Sequence, residues 1–385
     1  MHQQTAAAAR RGRLGYRPAL DGIRAFAILA VLVFHAGSRS PLKGGFIGVD
    51  LFFVLSGFLI TTLLLEEHQQ TGRIRLSSFY LRRARRLLPA LVVTVGLVGI
   101  IYLAYPRLDV GMGYVASVTS ALFYASDFVI AFGHSPGLLG HTWSLAIEEQ
   151  FYIVIPVTLI VLLRRGWART RLSLLALLLA CVSSVDRAVS WLAQRNWTHV
   201  YFRPDARADG LLLGVALAAF YGNDTGIARV RRVAAGPAAA VVGSVGLVLL
   251  GVELNEKRAA VYLGGLSIAV VCCALVVAHA VTADRSWLRR LLELSPLVWI
   301  GARSYGIYLY HFPVFEGIEG VAGRPGHARL PFEVRYALEV TISIAIAAAS
   351  YRWVESRFLR RSRRARSAPP HVQASPADEV ALESR

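Results

Sequence analysis

Eleven apolar runs, parted by short basic loops, limit what this chain can fold into. They fall near 20–37, 46–65, 87–105, 112–132, 143–163, 172–192, 207–221, 233–252, 259–281, 296–315 and 334–354. Most are close to the roughly 20 residues that an α-helix needs to cross a hydrocarbon core. With 55% hydrophobic residues and a mean hydropathy of +0.49, a soluble domain could not cover this much apolar surface, whereas lipid can. Only helices or closed barrels satisfy their backbone in lipid, and runs of this length specify helices. The expected fold is an all-α polytopic membrane bundle.

The loops set the orientation. Arg10, Arg11, Arg13 and Arg17 hold the N-terminus on the cytoplasmic side, and the basic loop 66–86 must return there after two spans. The later basic loops are 164–171, 222–232 and 282–295, with further arginines after Glu355. All of them stay cytoplasmic if 112–132 does not cross. That run is also the poorest span, interrupted by Gly111, Gly113, Ser117, Thr119, Ser120, Ser126 and Asp127. The expectation is ten spans in a plasma membrane, both termini cytoplasmic, with 112–132 in or dipping into the outer leaflet. Residues 1–17 form a basic leader with no signal peptide, 18–355 the membrane domain, and 356–385 a basic, then disordered tail. A net charge of +18 does not point to nucleic acid, because the arginines lie between apolar runs rather than in one patch. Cys181, Cys272 and Cys273 lie inside apolar runs without metal or disulfide spacing.

Against that background the ionisable residues inside the runs carry the functional signal, since each is costly in lipid. The first run, LDGIRAFAILAVLVFHAG, holds Asp21, Arg24 and His35. Arg24 and His35 are eleven residues apart, so they share a helix face about 16 Å apart along the axis. Alternatively, Asp21 and Arg24 snorkel at the cytoplasmic end. The second run begins GGFIGVDLFFVLSG, its glycines suited to a tight turn and close helix approach. Asp50 lies at a depth similar to His35 and either fixes the imidazole tautomer or caps its own helix. In SFYLRRARRLLP, Arg82, Arg83, Arg85 and Arg86 read as a phosphate cradle or as an orientation signal with lipid-headgroup contacts.

In HTWSLAIEEQFYIVIP, His141, Ser144, Glu148 and Tyr152 share one helical stripe, and Pro156 is expected to kink the helix. In YFRPDARADGLLLG, Arg203 and Arg207 interleave with Asp205 and Asp209 at i, i+4, a pattern that lets them pair among themselves. The run 296–315 places Ser304, Tyr308 and His311 on one face, and its deepest charge, Arg303, needs a partner. Under the ten-span topology His35, Asp50, His141, Glu148, Arg207, Asp209 and His311 gather in the outer half, with Arg24 and the arginine run in the inner half. Spacing and charge thus suggest a phosphate-bearing donor entering from inside and chemistry nearer the outside.

These motifs, in this order over residues 18–355, resemble the acyltransferase-3 family of integral membrane O-acyltransferases. The resemblance implies transfer of an acyl group, commonly acetyl, from acyl-CoA to a hydroxyl. It implies no permanently bound cofactor or metal, acyl-CoA (acetyl-CoA in the common case) being a co-substrate. Acceptors in the family include cell-surface polysaccharide, peptidoglycan and, in actinobacterial members, macrolide sugars. By motif, His35 would be the essential histidine, Arg24 its helix partner, Arg82, Arg83 and Arg86 the CoA-binding cluster, and Glu148 the glutamate of WSLxxE. Asp50 or Glu148 would orient His35. His141, Ser144, Tyr152, Arg207, Asp209, Tyr308 and His311 would line the acceptor side, with Arg24 or Tyr308 stabilising the oxyanion. Acylation of His35 or Ser144 is the covalent alternative. Many polysaccharide-modifying relatives carry a further span and a secreted esterase-like domain; the short tail here implies a stand-alone enzyme. A transporter or flippase is the rival class, disfavoured by the absence of an internal repeat.

Overall fold

The computed structural model describes residues 14–105, 111–221, 228–322 and 330–358. The arginines at 10, 11 and 13, the loop residues 222–227 and the tail from residue 359, on which part of the topology reading rests, lie outside the described residues. Among the described residues there are helices and no strand. The chain opens with α1 (Pro18–Phe34), α2 (Ile47–Thr71) and α3 (Leu76–Ala104), then two short helices, α4 (Tyr114–Leu122) and α5 (Ser126–Ala131). Next come α6 (Trp143–Arg164), α7 (Arg169–Gln194), α8 (Trp197–Phe202) and α9 (Pro204–Tyr221). The second half contains α10 (Ala228–Ala235), α11 (Pro237–Glu253), α12 (Val261–Thr282), α13 (Trp287–Leu292), α14 (Ser295–Ala302), α15 (Ser304–Ala322) and α16 (Phe332–Ser350).

Five of these are long and apolar enough to cross a membrane: α2, α3, α6 with its leading turn, α7 and α12. Burial divides them: 78% of the apolar window of α2 and 67% of that of α12 are covered by protein, against 28–33% for the other three. A helix apolar all round belongs inside a bundle, so α2 and α12 form the interior and α3, α6 and α7 the lipid-facing rim. Helices α1, α9, α11, α15 and α16 are apolar and 17–19 residues long.

Small residues bring the site-bearing helices together. A Cβ on Gly45 or Gly48 would stand 2.4 Å from the Ala30 or Ala27 carbonyl oxygen, so α1 and α2 touch backbone to backbone. Gly57 and Gly214 do the same for α2 and α9, where added Cβ atoms would meet the Leu211 and Val54 oxygens at 2.0 and 2.3 Å. Without a hydrophobic drive between helices in lipid, such close packing holds them.

The structure corrects two boundaries. The arginine stretch 82–86 is not a loop before a span beginning at 87; it lies in the continuous 29-residue helix α3. The run 296–315 is not one helix: it breaks at Arg303, between α14 and α15. There the Arg303 guanidinium lies 4.0 Å over Trp299 and 4.7 Å over Tyr351 and donates to the Trp299 carbonyl, so aromatic faces rather than a carboxylate receive it. The α6 helix runs on through Pro156. Residues 112–132 form α4 and α5, nine and six residues, parted by Tyr124 in the left-handed region. Neither reaches the length of a span. Their end is tied to α6, where Asp127 accepts from Gln150 Nε2 at 3.1 Å and the Ser126 and Thr142 hydroxyls meet at 2.8 Å.

Candidate active site

Two cavities lie toward opposite ends of α1. The first, about 290 Å³, is lined by Arg24, Ser56, Arg83, Arg86, Glu148 and Tyr152 together with apolar side chains. Its four cation and carboxylate bearers come from three helices, and their pairing differs. Arg24 meets Asp21 one turn earlier on α1 (3.0 Å), and Asp21 also accepts from the Tyr16 hydroxyl at 2.9 Å. Arg83 donates to Glu149 at 3.0 Å and lies 3.6 Å over the Tyr152 ring. Tyr152 donates to Glu148 at 3.3 Å and touches the Ser56 hydroxyl. Arg82, expected here as a third cradle residue, turns to Glu67 on α2 at 3.6 Å. Arg86 has no ion-pair partner among the described residues. One exposed guanidinium without a carboxylate, beside two partnered ones, is a setting for an anion.

The second cavity, about 560 Å³, is lined by His35, His141, Trp143, Trp197, Tyr201 and Phe312, among others. His35 caps the end of α1, and its Nδ1 lies 2.8 Å from the Val31 carbonyl oxygen. A carbonyl can only accept, so Nδ1 carries the proton and Nε2 keeps its lone pair. His311 is held the same way, Nδ1 to the Tyr308 carbonyl at 2.6 Å. The His35 and His311 rings meet edge to face at 4.9 Å, and His141 and His311 at 5.7 Å. Phe312 packs against both His35 (5.6 Å) and His141 (5.2 Å). Both ring nitrogens of His141, and Nε2 of His311, are buried without a hydrogen-bond partner among the described residues. Among those residues no group of three or more His, Cys, Asp or Glu is arranged to hold a metal ion.

Between the cavities stands Tyr308, which with Val49 lines both. Its hydroxyl donates to the His141 carbonyl at 2.8 Å and lies 2.6 Å from Ser144 Oγ. The single phenolic proton is taken by the carbonyl, so Ser144 must donate to the Tyr308 oxygen. In this arrangement the Tyr308 proton is engaged by a carbonyl and the Ser144 proton by the Tyr308 hydroxyl.

The carboxylates expected to orient His35 are engaged elsewhere. Asp50 pairs with Arg207 at 2.9 Å, with 1% and 0% of the two side chains exposed. Glu148 faces the arginine cavity. His35 is oriented instead by its own helix: the Val31 carbonyl accepts both the His35 backbone N–H (3.1 Å) and the imidazole Nδ1–H (2.8 Å), one on each lone pair. The 203–209 segment is self-paired only in part, at Arg203 and Asp205. Arg203 pairs with Asp205 and with Asp186 on α7, Arg207 with Asp50 on α2, and Asp209 with the buried Arg187 on α7 at 2.8 Å. At α-helical spacing Arg207 and Asp209 point to different neighbours, so each finds a charge across a helix interface. Arg207 also lies 4.7 Å over Tyr201, behind the wall of the histidine cavity.

A family model described as an acyltransferase domain matches residues 17–352. The chain belongs to the acyltransferase-3 family. Among acyltransferase-3 relatives, the peptidoglycan O-acetyltransferase OatA of Listeria monocytogenes is 33% identical over 357 residues, covering 89% of this chain and 55% of that protein. The O-acetyltransferase OatA of Staphylococcus aureus is 32% identical over 354 residues, 89% of this chain and 57% of the relative. A Staphylococcus aureus protein named provisionally as an O-acetyltransferase is 34% identical over 363 residues, 90% of this chain and 58% of its own. The chain therefore spans little more than half the length of the curated relatives it matches. No solved structure matches it.

On this acyltransferase-3 chain the structure gathers Arg24, Arg83, Arg86, Glu148 and Tyr152 into one cavity and His35, His141 and His311 into one cluster. It leaves Asp50, Arg207 and Asp209 in buried ion pairs. Sequence reasoning missed Phe312, Ser56 and Arg187. Phe312 sits next to His311 in YHFP, and that adjacency was the available signal; Ser56 offered none.

Proposed function

We propose that this chain is a membrane O-acyltransferase that moves a short acyl group, acetyl in the simplest case, from acyl-CoA to a hydroxyl of a carbohydrate-type acceptor. The observation that carries the reading is the placement of an uncommitted arginine and an oriented histidine in two cavities toward the two ends of one helix, α1. The names of the relatives support O-acetyl transfer, and the Listeria relative's name supports a glycan acceptor. In the same reading ten helices cross the plasma membrane: α1, α2, α3, α6, α7, α9, α11, α12, α14 with α15, and α16. Both termini face the cytoplasm, and α4 and α5 lie in the outer leaflet.

The donor's phosphates bind at Arg86, with Arg24 and Arg83 beside it, and the thioester reaches toward His35. The acceptor enters the aromatic histidine cavity. Nε2 of His35 takes the acceptor's hydroxyl proton as the oxygen attacks the thioester carbon. The new C–O bond forms, the C–S bond breaks, and the proton on His35 passes to the departing thiolate. Direct transfer is favoured over a serine acyl-enzyme because Ser144 donates to Tyr308.

The test is acyl transfer by the purified chain in lipid vesicles supplied with labelled acetyl-CoA and a panel of sugar hydroxyl acceptors. Label in an acceptor ester is the expected result. A folded protein that neither binds acetyl-CoA nor transfers label would overturn the reading.

A further inference from the structure

We propose that Tyr308 is the partition between donor and acceptor sides, a positioning residue that keeps water on the donor side away from the reacting carbon. The proposal rests on the acyltransferase reading and deepens it. Tyr308 is 7% exposed and forms wall in both cavities. Its ring stands between α2, where Phe52 meets it at 6.4 Å, and the histidine cluster, with His311 at 5.4 Å and His141 at 5.7 Å. Two hydrogen bonds lock the hydroxyl, one to the backbone ahead of α6 and one to Ser144 on it. A ring fixed at its outer atom by two partners on one neighbouring segment stays in place until the donor's acyl arm, passing between Tyr308 and Val49 toward His35, displaces it and fills the gap itself.

The chemistry makes such a wall useful. A thioester beside a basic histidine is open to water as well as to a sugar hydroxyl. Hydrolysis forms a C–O bond from water, breaks C–S and delivers water's proton through His35 to the thiolate, yielding free acid and thiol. Excluding water from the side by which the donor enters suppresses that loss. Truncating Tyr308 joins the two cavities through the space its ring occupied.

The test separates this claim from the acyltransferase reading, because its first readout needs no turnover. His35→Cys is placed in a chain carrying Cys181→Ser, which removes the exposed native thiol. Sealed vesicles of known orientation are treated with a membrane-impermeant thiol reagent on one face at a time, and label at position 35 is read by peptide mass. With Tyr308 present, label enters from the histidine-cavity face alone; with Tyr308→Ala it enters from both. Ser144→Ala, which keeps the ring and removes one lock, gives intermediate labelling from the arginine-cavity face and decides the matter should Tyr308→Ala not fold. In chains with His35 intact, Tyr308→Ala raises the ratio of acetyl-CoA hydrolysis to acceptor transfer by about tenfold, and Tyr308→Phe by less. Label from both faces with Tyr308 in place, or one-sided label in the folded variants, overturns the proposal.

Discussion

The two cavities use charge in opposite ways. In the arginine cavity two of the three lining arginines are paired with carboxylates beside it, Arg83 with Glu149 and Arg24 with Asp21, and one guanidinium, Arg86, is left over. Around the histidine cavity His35, His141 and His311 take part in no ion pair among the described residues; His35 and His311 each rest on a backbone carbonyl, and the rings pack against Phe312 and one another. The difference separates two tasks. Holding a phosphate needs a permanent cation whose neighbours are already satisfied, whereas taking a proton needs a neutral lone pair in a dry setting. One helix, α1, supplies a member to each.

The comparison breaks most visibly at His35. His35→Ala is expected to lower turnover by about 10²–10⁴-fold while acetyl-CoA binding, read by calorimetry, is retained. Next in size is a variant belonging to neither cavity. Asp50→Ala leaves Arg207 charged, buried and unpaired, at a cost of about 3–5 kcal/mol in thermal unfolding, and pairing Asp50→Leu with Arg207→Met recovers most of it. Arg86→Ala removes the uncommitted cation and should raise the KM for acetyl-CoA about tenfold. Arg82→Ala, which loses a partly exposed pair with Glu67, should change KM by no more than about fivefold. Equal effects of Arg82→Ala and Arg86→Ala would erase the distinction drawn between them.

How much of this was legible follows from the kind of signal involved. Hydropathy marked the long helices, because lipid imposes length and composition on each one separately. Helical spacing likewise put Arg24 and His35 on one face, and Ser144 and Glu148 on another. Pairing across helices was not legible. Asp50 stood as a partner for His35 by depth, yet α9 brings Arg207 to it, and only packing set by Gly57 and Gly214 decides which side of α2 meets which neighbour. Hydrogen-bond direction was equally hidden: no spacing in the sequence shows that the Tyr308 hydroxyl donates to the His141 carbonyl.

The most direct test compares the steady-state kinetics of His35→Ala and Arg86→Ala in lipid with labelled acetyl-CoA. Two cavities with separate tasks predict a split: His35→Ala loses kcat with KM for acetyl-CoA nearly unchanged, and Arg86→Ala raises that KM with kcat nearly unchanged. Both variants losing kcat alone, or both raising KM alone, would contradict the division of labour along α1.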